Sequence, residues 1–402
     1  MYIKRTLEKE LRRYLPKREI LALVGPRQSG KTTLLKQLFD GLEKALYLDF
    51  EDREVLELFT EDIKSFIEIY VKNYQYLFID EFQYAQDGGK NLKFIYDHHP
   101  IKIIISGSSV SGLSVQSLQY LVGRVFVFTL YPFSFEEYLR YKEPLLYDWL
   151  YKTRKLSSPI IKKALPFFKE HCIFGGYPRV VLAQNKEEKE IVLKNIYNTY
   201  FLKEIREILH LPDDHKLTKL IRALALQVGN IINHNELSEI SGFTHKDLLN
   251  YLNVLEKTFI TLRSQPFYTN KMTELVKSPK IFFLDTGFRN MVLKDFQKLE
   301  QRSDKGALHE NFVASELVKI GVELKYWRTK SKAEVDFIVE KNGKAIPLEV
   351  KSTLAKPKLS LSFISFLEKY SPRKSIILSE ELFADQNNIK FRPIFSVARE
   401  ME

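Results

Sequence analysis

Residues Gly25 to Thr32, with the sequence GPRQSGKT, follow the apolar run ILALV and open a segment with helical periodicity. Glycines in such a turn let backbone amides surround phosphate oxygens, and the following helix N-terminus adds partial positive charge. The lysine would neutralise the β- and γ-phosphate oxygens, and the first threonine would bind Mg²⁺ through its hydroxyl. This strand-turn-helix context predicts an ATP and Mg²⁺ site. The predicted cofactor-binding residues are Gly25, Pro26, Arg27, Gln28, Ser29, Gly30, Lys31, Thr32 and Thr33.

An acidic pair ends a second apolar strand, YLFIDE, which runs from Tyr76 to Glu81. Magnesium-dependent hydrolysis of ATP needs a carboxylate near the metal and a base for the attacking water. We assign Asp80 to the metal and Glu81 to the water. A solvated loop is the ordinary explanation of an acidic pair, but the position after a buried strand favours catalysis.

Three further residues in this half of the chain are candidates for contacting nucleotide. The strand IKIIISGSS ends in Ser106 to Ser109, and we assign Ser108 to the γ-phosphate or the attacking water. A serine-rich turn or helix cap would look the same. Arg124, just before the next strand, would reach the γ-phosphate of a neighbouring subunit, and Arg179 would sense nucleotide within its own subunit. A plain surface charge is the alternative for both arginines.

Taken together, these motifs resemble a group of prokaryotic AAA+ ATPases whose C-terminal half is a domain of formerly unknown function. The resemblance rests on GPRQSGKTTLL, YLDFED, YLFIDEFQ, IIISGSS, LVGRV with YPFSFEEY, and GGYPRV. It continues through KSPKIFFLDTGFRN and GALHENFVASEL to EVDFIVE and PLEVK, and so covers nearly the whole chain. The resemblance implies an ATP-hydrolysing core and a C-terminal module similar to PD-(D/E)XK nucleases.

The C-terminal region has its own group of chemically active residues. Asp336 and the pair Glu349 and Lys351 lie on two strands joined by Lys341 to Lys344, whose Asn-Gly centre is typical of a hairpin turn. Pairing across the hairpin would bring the two carboxylates together as ligands of a second divalent metal. The lysine would then polarise water beside a scissile phosphate. Acid-hydrophobe-lysine patterns also arise in ordinary amphipathic strands.

The resemblance adds one acid to this site. PD-(D/E)XK enzymes place an additional acid on a helix, and Glu310 in GALHENFVASEL matches that position, with Glu316 as the weaker candidate. The sequence departs from the pattern at Ala333 to Val335, where a proline would be expected before the aspartate. We therefore expect a nuclease-like fold and leave open whether it cleaves.

The elements that must position these residues predict a multidomain α/β protein. Short β-branched runs alternate with helical segments between residues 20 and 130, which is typical of a parallel P-loop sheet. Ser134 and Glu137 form a capping box, so a helix should begin there. The predicted domains are an ATPase core at 1–135, a helical lid at 136–212, a winged helix-turn-helix at 213–270, a connector at 271–300 and a restriction-endonuclease-like α/β domain at 301–402.

Composition limits the choice of partners. The net charge is +11, which permits a polyanionic partner, and we expect nucleic acid, most readily DNA. His245, Lys246, Asn250 and Asn253 on the second helix of the middle module would contact it, although simple packing between modules explains the same helix. The single cysteine fits a reducing cytosol. We find no membrane-spanning segment and expect a cytoplasmic homo-oligomer.

The leading interpretation is a magnesium-dependent ATPase whose cycle drives a C-terminal nucleic-acid-processing module. Two alternatives remain open at this point. One is a nucleotide-dependent DNA-binding switch with an inactive nuclease fold. The other is an ATP-driven remodeller of protein partners, in which both C-terminal modules serve as adaptors.

Overall fold

The computed structural model describes residues 2–85, 87–108, 118–153, 156–209, 211, 214–268, 272, 274 and 277–401. These residues form two compact units. The first comprises the described residues up to Pro132 together with Lys257–Phe259, and the second comprises Phe133–Glu256 and the described residues from Ile260 onward. The described helices include none that is long and apolar enough to cross a bilayer.

The first unit is built on a five-stranded parallel sheet with the strand order β2-β3-β4-β1-β5. Because every strand is parallel to its neighbours, the carboxyl ends of all five meet at one edge. The strands are β1 Ile20–Gly25, β2 Ala45–Asp49, β3 Tyr76–Asp80, β4 Lys102–Ser108 and β5 Val125–Thr129. The helices are α1 Thr6–Tyr14, α2 Lys31–Phe39, α3 Arg53–Glu61, α4 Ile63–Tyr70 and α5 Gly89–His98.

Apolar side chains on both faces of this sheet hold the first unit together. The central strands β1 and β4 are buried along their whole length, as expected for strands covered by helices on both sides. One face packs against Phe59, Phe66 and Phe82 among others, and the other packs against the apolar stripe of α2. The sheet is therefore rigid, and it fixes the positions of residues at its carboxyl edge.

The second unit begins with helices. Ser134 accepts a hydrogen bond from the Glu137 amide (3.2 Å) and Glu137 Oε2 accepts one from the Ser134 amide (3.2 Å), so the predicted capping box is present. The α-helices among the described residues of this unit are α6 Phe135–Lys142, α7 Pro144–Tyr147, α8 Ser158–Phe174, α9 Pro178–Leu182, α10 Lys186–Ile196, α11 Arg206–Ile208, α12 His215–Leu226, α13 His234–Ser241, α14 His245–Lys257, α15 Thr286–Leu293, α16 Lys305–Lys319, α17 Leu361–Tyr370 and α18 Val397–Met401.

Two sheets complete the second unit. One has the order β7-β6-β8-β9 and the other the order β10-β11-β12-β14-β13. The strands are β6 Thr261–Pro266, β7 Lys280–Phe283, β8 Lys325–Arg328, β9 Glu334–Val335, β10 Phe337–Lys341, β11 Lys344–Val350, β12 Ser375–Ser379, β13 Ala384–Gln386 and β14 Ile389–Pro393. Both sheets mix parallel and antiparallel pairs.

The predicted α/β multidomain fold is confirmed. The boundaries predicted within residues 136–402 stay predictions, and one sheet runs across two of them: β6 pairs in parallel with β8, with Gln265 opposite Lys325 and Pro266 opposite Tyr326. The strands that precede residue 300 and those that follow it therefore share hydrogen bonds. Backbone hydrogen bonds therefore connect the middle segment with the C-terminal segment.

Candidate nucleotide site and C-terminal carboxylate cluster

The phosphate-binding turn lies at the carboxyl edge of the first unit's sheet, between β1 and α2. Gly25 ends β1 with φ 152°, and a Cβ atom there would come within 2.2 Å of the Leu130 carbonyl oxygen. Gly30 precedes α2 in the left-handed region with φ 95°. Glycine is needed at both points, because a side chain would collide with backbone at the first and strain the chain at the second.

Lys31 is the first residue of α2 and is only 5% exposed. Its ammonium donates hydrogen bonds to the carbonyl oxygens of Gly25 and Pro26, both at 3.0 Å. A cation is thus held inside the turn, where phosphate oxygens would be surrounded by backbone amides. Thr32 and Thr33 follow on the first turn of the same helix.

Asp80 ends β3 at the same edge and is almost completely buried. The Tyr47 hydroxyl donates to Asp80 Oδ2 (2.7 Å), and the Ser106 hydroxyl donates to Asp80 Oδ1. Two hydroxyls therefore fix the orientation of the carboxylate predicted to bind Mg²⁺. Sequence reasoning missed Tyr47, because its contact with Asp80 depends on the pairing of β2 with β3.

Glu81 follows β3 in the left-handed backbone region, with φ 51°. Burial raises the pKa of its carboxyl, and the nearby charge of Asp80 adds to this effect. The Gln83 side-chain amide, which donates to Glu81 Oε2, and the positive charges of Lys31 and Arg27 oppose the rise. A carboxylate with a raised pKa is a stronger base, as activation of water requires.

Ser108 ends β4, which lies between β1 and β3 in the sheet. Its backbone amide donates to Gln83 Oε1 at 3.1 Å, and the Gln83 amide donates to Glu81. Gln83 therefore connects the predicted base to the strand that carries the serine. Gln83 closes the motif YLFIDEFQ, but no role was assigned to it from the sequence, and its role becomes evident only from its two partners. Ser109 lies outside the described residues.

Arg124 lies at the amino-terminal end of the parallel strands, whereas the phosphate-binding turn lies at their carboxyl end. It immediately precedes β5, and its carbonyl accepts a hydrogen bond from the amide of Ile20, the first residue of β1. The six residues of β1 separate this edge from Gly25, a length of about 16 Å. The guanidinium pairs with the Asp97 carboxylate at 2.8 and 3.3 Å on the surface. The Arg124 backbone therefore lies at the far end of β1 from the phosphate-binding turn of its own chain.

The remaining arginine candidate, Arg179, is exposed on α9 in the second unit. The turn before it is fixed, because the Gly176 amide donates to the buried Asp285 carboxylate (2.7 Å). A Cβ atom on Gly287 would come within 2.0 Å of the Phe174 carbonyl oxygen, so this contact between segments is very close. A hydrogen bond and a close backbone contact therefore hold the segment that precedes α9, the helix that carries Arg179.

The C-terminal hairpin is formed by β10 and β11 as predicted, with Phe337 opposite Leu348. Asp336 immediately precedes β10, and its carboxyl is close enough to Glu349 on β11 to feel its negative charge. The Val350 amide donates to Asp336 Oδ2 (2.7 Å), and the Lys351 ammonium pairs with Glu349 Oε1 (2.8 Å). The three residues that sequence placed across the hairpin are together.

Glu310 approaches this group from α16. Burial raises the pKa of its carboxyl to about 8, and the negative charge of Asp336 adds to the rise. Burial likewise raises the pKa of the Asp336 carboxyl, with Glu349 contributing in the same direction. Closely spaced carboxylates repel one another and hold protons more tightly. Glu316 is engaged elsewhere, accepting hydrogen bonds from the Phe135 amide and the Lys319 ammonium (both 3.0 Å).

Two charged residues next to this cluster were missed by sequence reasoning. Lys280 on β7 is 1% exposed, and its ammonium pairs with the carboxylate of Glu334 on β9. Arg328 also pairs with Glu334, at 3.3 Å. No local pattern predicts the contact of Lys280, because Lys280 and Glu334 are 54 residues apart in sequence.

The donor atoms of the cluster determine whether it could hold a metal ion. Within the described part of the chain, no three His, Cys, Asp or Glu side chains are arranged to hold a metal ion. Glu349 Oε2, however, is buried and has no hydrogen-bond partner there. An unsatisfied carboxylate oxygen beside a second carboxylate is the donor chemistry of a hard divalent cation, so the residues fit such an ion as a pair.

We expect Glu310→Gln to change the pH dependence of folding. The pKa of Glu310 is about 8 in the folded chain against 4.5 for an ordinary glutamate. The folded state therefore holds one more proton between these values, so wild-type stability should fall from pH 4.5 to 8 and then level off. The Gln variant should lack the share of this fall that Glu310 causes and be more stable at pH 9 by on the order of 5 kcal/mol.

Urea unfolding at pH 5 and pH 9 in the presence of a chelator measures this difference. Glu323→Gln, which removes an exposed carboxylate from the same unit, is the matched control and should parallel the wild type. An equal pH slope in wild-type and Glu310→Gln protein would contradict the assignment.

Comparison with known proteins divides the chain into three matched segments. Residues 17–139 match a family model described as an AAA domain. Residues 166–305 and 305–394 match two models described as domains of unknown function, DUF8612 and DUF4143. The match to the AAA model covers the turn at Gly25, the pair Asp80 and Glu81 at the end of β3, and β5.

Similar proteins occur in bacteria and archaea. An uncharacterized protein of Haemophilus influenzae is 28% identical over 351 residues, which is 82% of each chain. An uncharacterized protein of Methanocaldococcus jannaschii is 25% identical over 335 residues, 80% of this chain and 72% of its own. Among solved structures, the Walker-type ATPase of Pyrococcus abyssi aligns with a TM-score of 0.50 at 16% identity, covering 73% of this chain and 96% of its own. The chain contains an AAA-type P-loop ATPase fold.

Proposed function

We propose that this chain is a magnesium-dependent ATPase whose nucleotide cycle acts on a nucleic-acid-binding, nuclease-like C-terminal module. The observation that carries the first half is the placement of Lys31 inside the Gly25–Thr32 turn, with Asp80 and Glu81 at the same sheet edge. One end of the sheet thus holds a residue suited to the phosphate charge, one suited to the metal and one suited to the attacking water.

The contacts of these residues support the following roles. Lys31 neutralises phosphate charge, and Thr32 and Asp80 would hold Mg²⁺, which neutralises charge developing between the β- and γ-phosphates. Tyr47 and Ser106 fix the Asp80 carboxylate by hydrogen bonds. Glu81 removes the proton from the attacking water, and its bond to Gln83 keeps it oriented until nucleotide is present.

Phosphate release from ATP is the direct test of this half. The wild-type chain should release phosphate with Mg²⁺ and stop when a chelator is added, because both carboxylates act through the metal or the water it orients. Hydrolysis at the same rate in excess chelator would contradict the assignment of Thr32 and Asp80.

For the second unit we propose a winged helix-turn-helix that continues into a PD-(D/E)XK-like domain. The support is topological. Helices α13 and α14 are separated by the turn at Gly242, β6 and β7 pair antiparallel after them, and Ile231 forms a single antiparallel bridge with Lys280. The hairpin that carries Asp336 and Glu349 follows in the same unit.

DNA is the proposed partner, on the basis of charge. The chain carries a net charge of +11, and Lys356 and Lys358 are exposed after the strand that bears Glu349. His245, Lys246 and Asn250 are exposed on α14, the proposed recognition helix. Phosphate contacts by lysine supply sequence-independent affinity, so binding should weaken steeply as salt rises.

If the cluster is catalytic, Asp336→Ala should abolish nicking of supercoiled DNA in Mn²⁺ or Mg²⁺. DNA affinity should stay within about threefold of the wild type, because the phosphate-contacting lysines remain. Glu368→Ala, which removes an exposed acid from α17 of the same unit, is the control and should nick normally. Metal-dependent nicking that persists in Asp336→Ala protein would contradict the assignment of this site.

One observation favours a second candidate function, a nucleotide-dependent DNA-binding switch with an inactive nuclease fold. In the described residues, no three acidic, histidine or cysteine side chains are arranged around a metal position. Salt-sensitive DNA binding without cleavage in either metal selects this candidate. The protein-remodelling alternative predicts no salt-sensitive DNA binding at all.

We propose that the protein acts as a homo-oligomer, and this leads to a prediction for Arg124. Because this residue lies at the sheet edge opposite the phosphate-binding turn, we propose that it serves a neighbouring subunit. Arg124→Ala and Glu81→Gln proteins should each be inactive alone, and a mixture should recover up to about a quarter of wild-type ATPase activity at shared interfaces. Absence of recovery at every mixing ratio, with a monomer by light scattering, would contradict this role.

A further inference from the structure

A cavity of about 720 Å³ opens in the first unit, at the end of the sheet where the parallel strands begin. Its lining includes Tyr76 and Lys102, the first residues of β3 and β4, and residues 15–18 between α1 and β1. The phosphate-binding turn follows the carboxyl end of β1, so this cavity is separate from the proposed ATP site. Its volume lies in the range of small-ligand sites, about 300–1,000 Å³.

Positive charge predominates around the cavity. Lys17 and Arg18 line it and are exposed. Asp97 also lines it, but its two carboxylate oxygens accept hydrogen bonds from the Arg124 guanidinium at 2.8 and 3.3 Å. The charge of this acid is therefore already paired and does not neutralise the two exposed cations.

Lys102 adds a buried cation to the wall of the cavity. Its ammonium donates hydrogen bonds to the carbonyl oxygens of Tyr14 (3.1 Å), Lys17 (2.7 Å) and Glu19. Burial lowers its pKa to about 8, against the opposing charge of Glu19, so the side chain is still charged at neutral pH. The groups named in this and the preceding paragraph are four cations and two carboxylates, an excess of two positive charges that an anion in the cavity would balance.

The rest of the lining is suited to a nucleobase. Leu15 and Ile101 are buried apolar residues, and Pro16 and Pro100 are exposed. Gln75, which is also exposed in the lining, carries an amide that can both donate and accept hydrogen bonds. A ligand with phosphate charge and a flat, weakly polar ring matches both parts of the lining, whereas inorganic phosphate matches only the cations.

We propose that this cavity binds one nucleotide of single-stranded DNA, with Lys17 and Arg18 contacting its phosphates. The inference rests on DNA as the proposed partner and adds a DNA-binding site within the ATPase unit itself. A base can enter a cavity only when it is unpaired, so the site should favour single strands over duplex. Lys102 contributes through its charge, because its ammonium already donates to three carbonyl oxygens.

Fluorescence anisotropy of a short labelled oligothymidylate, titrated with the full chain saturated with Mg²⁺ and ADP, tests the proposal. The ADP occupies the phosphate-binding turn and keeps the terminal phosphate of the oligomer out of it. The double variant Lys17→Ala, Arg18→Ala should bind at least about tenfold more weakly at low salt, and its slope of log affinity against log salt should be shallower by about 1.4, the share of two phosphate contacts.

The matched control is the double variant Lys9→Ala, Lys64→Ala, which removes two exposed lysines of the same unit from outside the cavity lining. Its affinity should stay within about a factor of two of the wild type, because exposed charges away from the site are screened. A cooperative urea transition in each double variant shows that the protein is folded.

The outcomes separate the cavity from the proposed partner. Wild-type binding that falls with salt but is unchanged in Lys17→Ala, Arg18→Ala protein overturns the cavity site and leaves DNA as the partner. An equal loss in the control variant, or an equal loss of affinity for duplex of the same length, also overturns the site. Absence of oligomer binding by the wild type at low salt overturns the proposed DNA partner and the inference together.

Discussion

Lys31→Ala should lower ATP affinity by about 100-fold, the equivalent of ~3 kcal/mol, because it removes a charge-assisted contact to the phosphates. The ammonium is already inside the turn, bound to the carbonyl oxygens of Gly25 and Pro26. Alanine is the best helix former, so α2 should still begin at the same place. Titration with a fluorescent ATP analogue measures the change.

Lys36→Ala is the matched control for this experiment. Lys36 lies on the same helix, one turn further on, and is exposed. Its removal should leave ATP affinity within about a factor of two, because exposed charges are well screened by water and salt. Equal losses in the two variants would mean that general charge, and not the position of Lys31, determines nucleotide affinity.

Glu81→Gln should retain ATP binding and slow hydrolysis by roughly 100- to 10,000-fold, the usual contribution of a general base. Glutamine has the same size and can still pair with Gln83, but it cannot accept the proton of the attacking water. Binding should survive, because Lys31 and Asp80 are unchanged. Single-turnover hydrolysis together with ATP titration separates the two effects.

A variant at an exposed acid shows whether the loss is specific. Glu54→Gln changes a surface carboxylate at the first turn of α3 in the same unit and should hydrolyse ATP at the wild-type rate. Wild-type hydrolysis in Glu81→Gln protein would remove Glu81 as the base. Loss of ATP binding in the same variant would instead assign it to the nucleotide pocket.

The sequence predicted the turns and caps that depend on only a few consecutive residues. The turn at Gly25–Thr32, the capping box at Ser134 and the hairpin turn at Asn342 each depend on a few consecutive residues, and each is present. The hairpin also determines which side chains face one another, so Asp336 and Glu349 could be paired from sequence alone.

Contacts between distant segments could not be predicted in this way. Tyr47 reaches Asp80 because β2 pairs with β3, and Lys280 reaches Glu334 because β7 and β9 belong to one sheet. Neither pairing leaves a trace in the local pattern of residue types. Physical interaction across a sheet follows strand order, which a single sequence does not reveal.

These two kinds of residue have different effects on mechanism. The predicted residues carry the charges and protons of the proposed reactions. Two residues found only in the structure contact the predicted ones: Tyr47 donates a hydrogen bond to Asp80, and Gln83 donates one to Glu81. Substituting them should therefore alter affinity or rate by less than removing Lys31 or Glu81.

ATPase activity measured with and without single- and double-stranded DNA tests the central claim most directly, because that claim joins the P-loop fold to a nucleic-acid-binding C-terminal module. We predict that DNA stimulates wild-type hydrolysis severalfold at low salt, that the stimulation falls as salt rises, and that Glu81→Gln protein stays inactive throughout. An ATPase rate that saturating DNA of either form leaves unchanged at low salt would contradict the account.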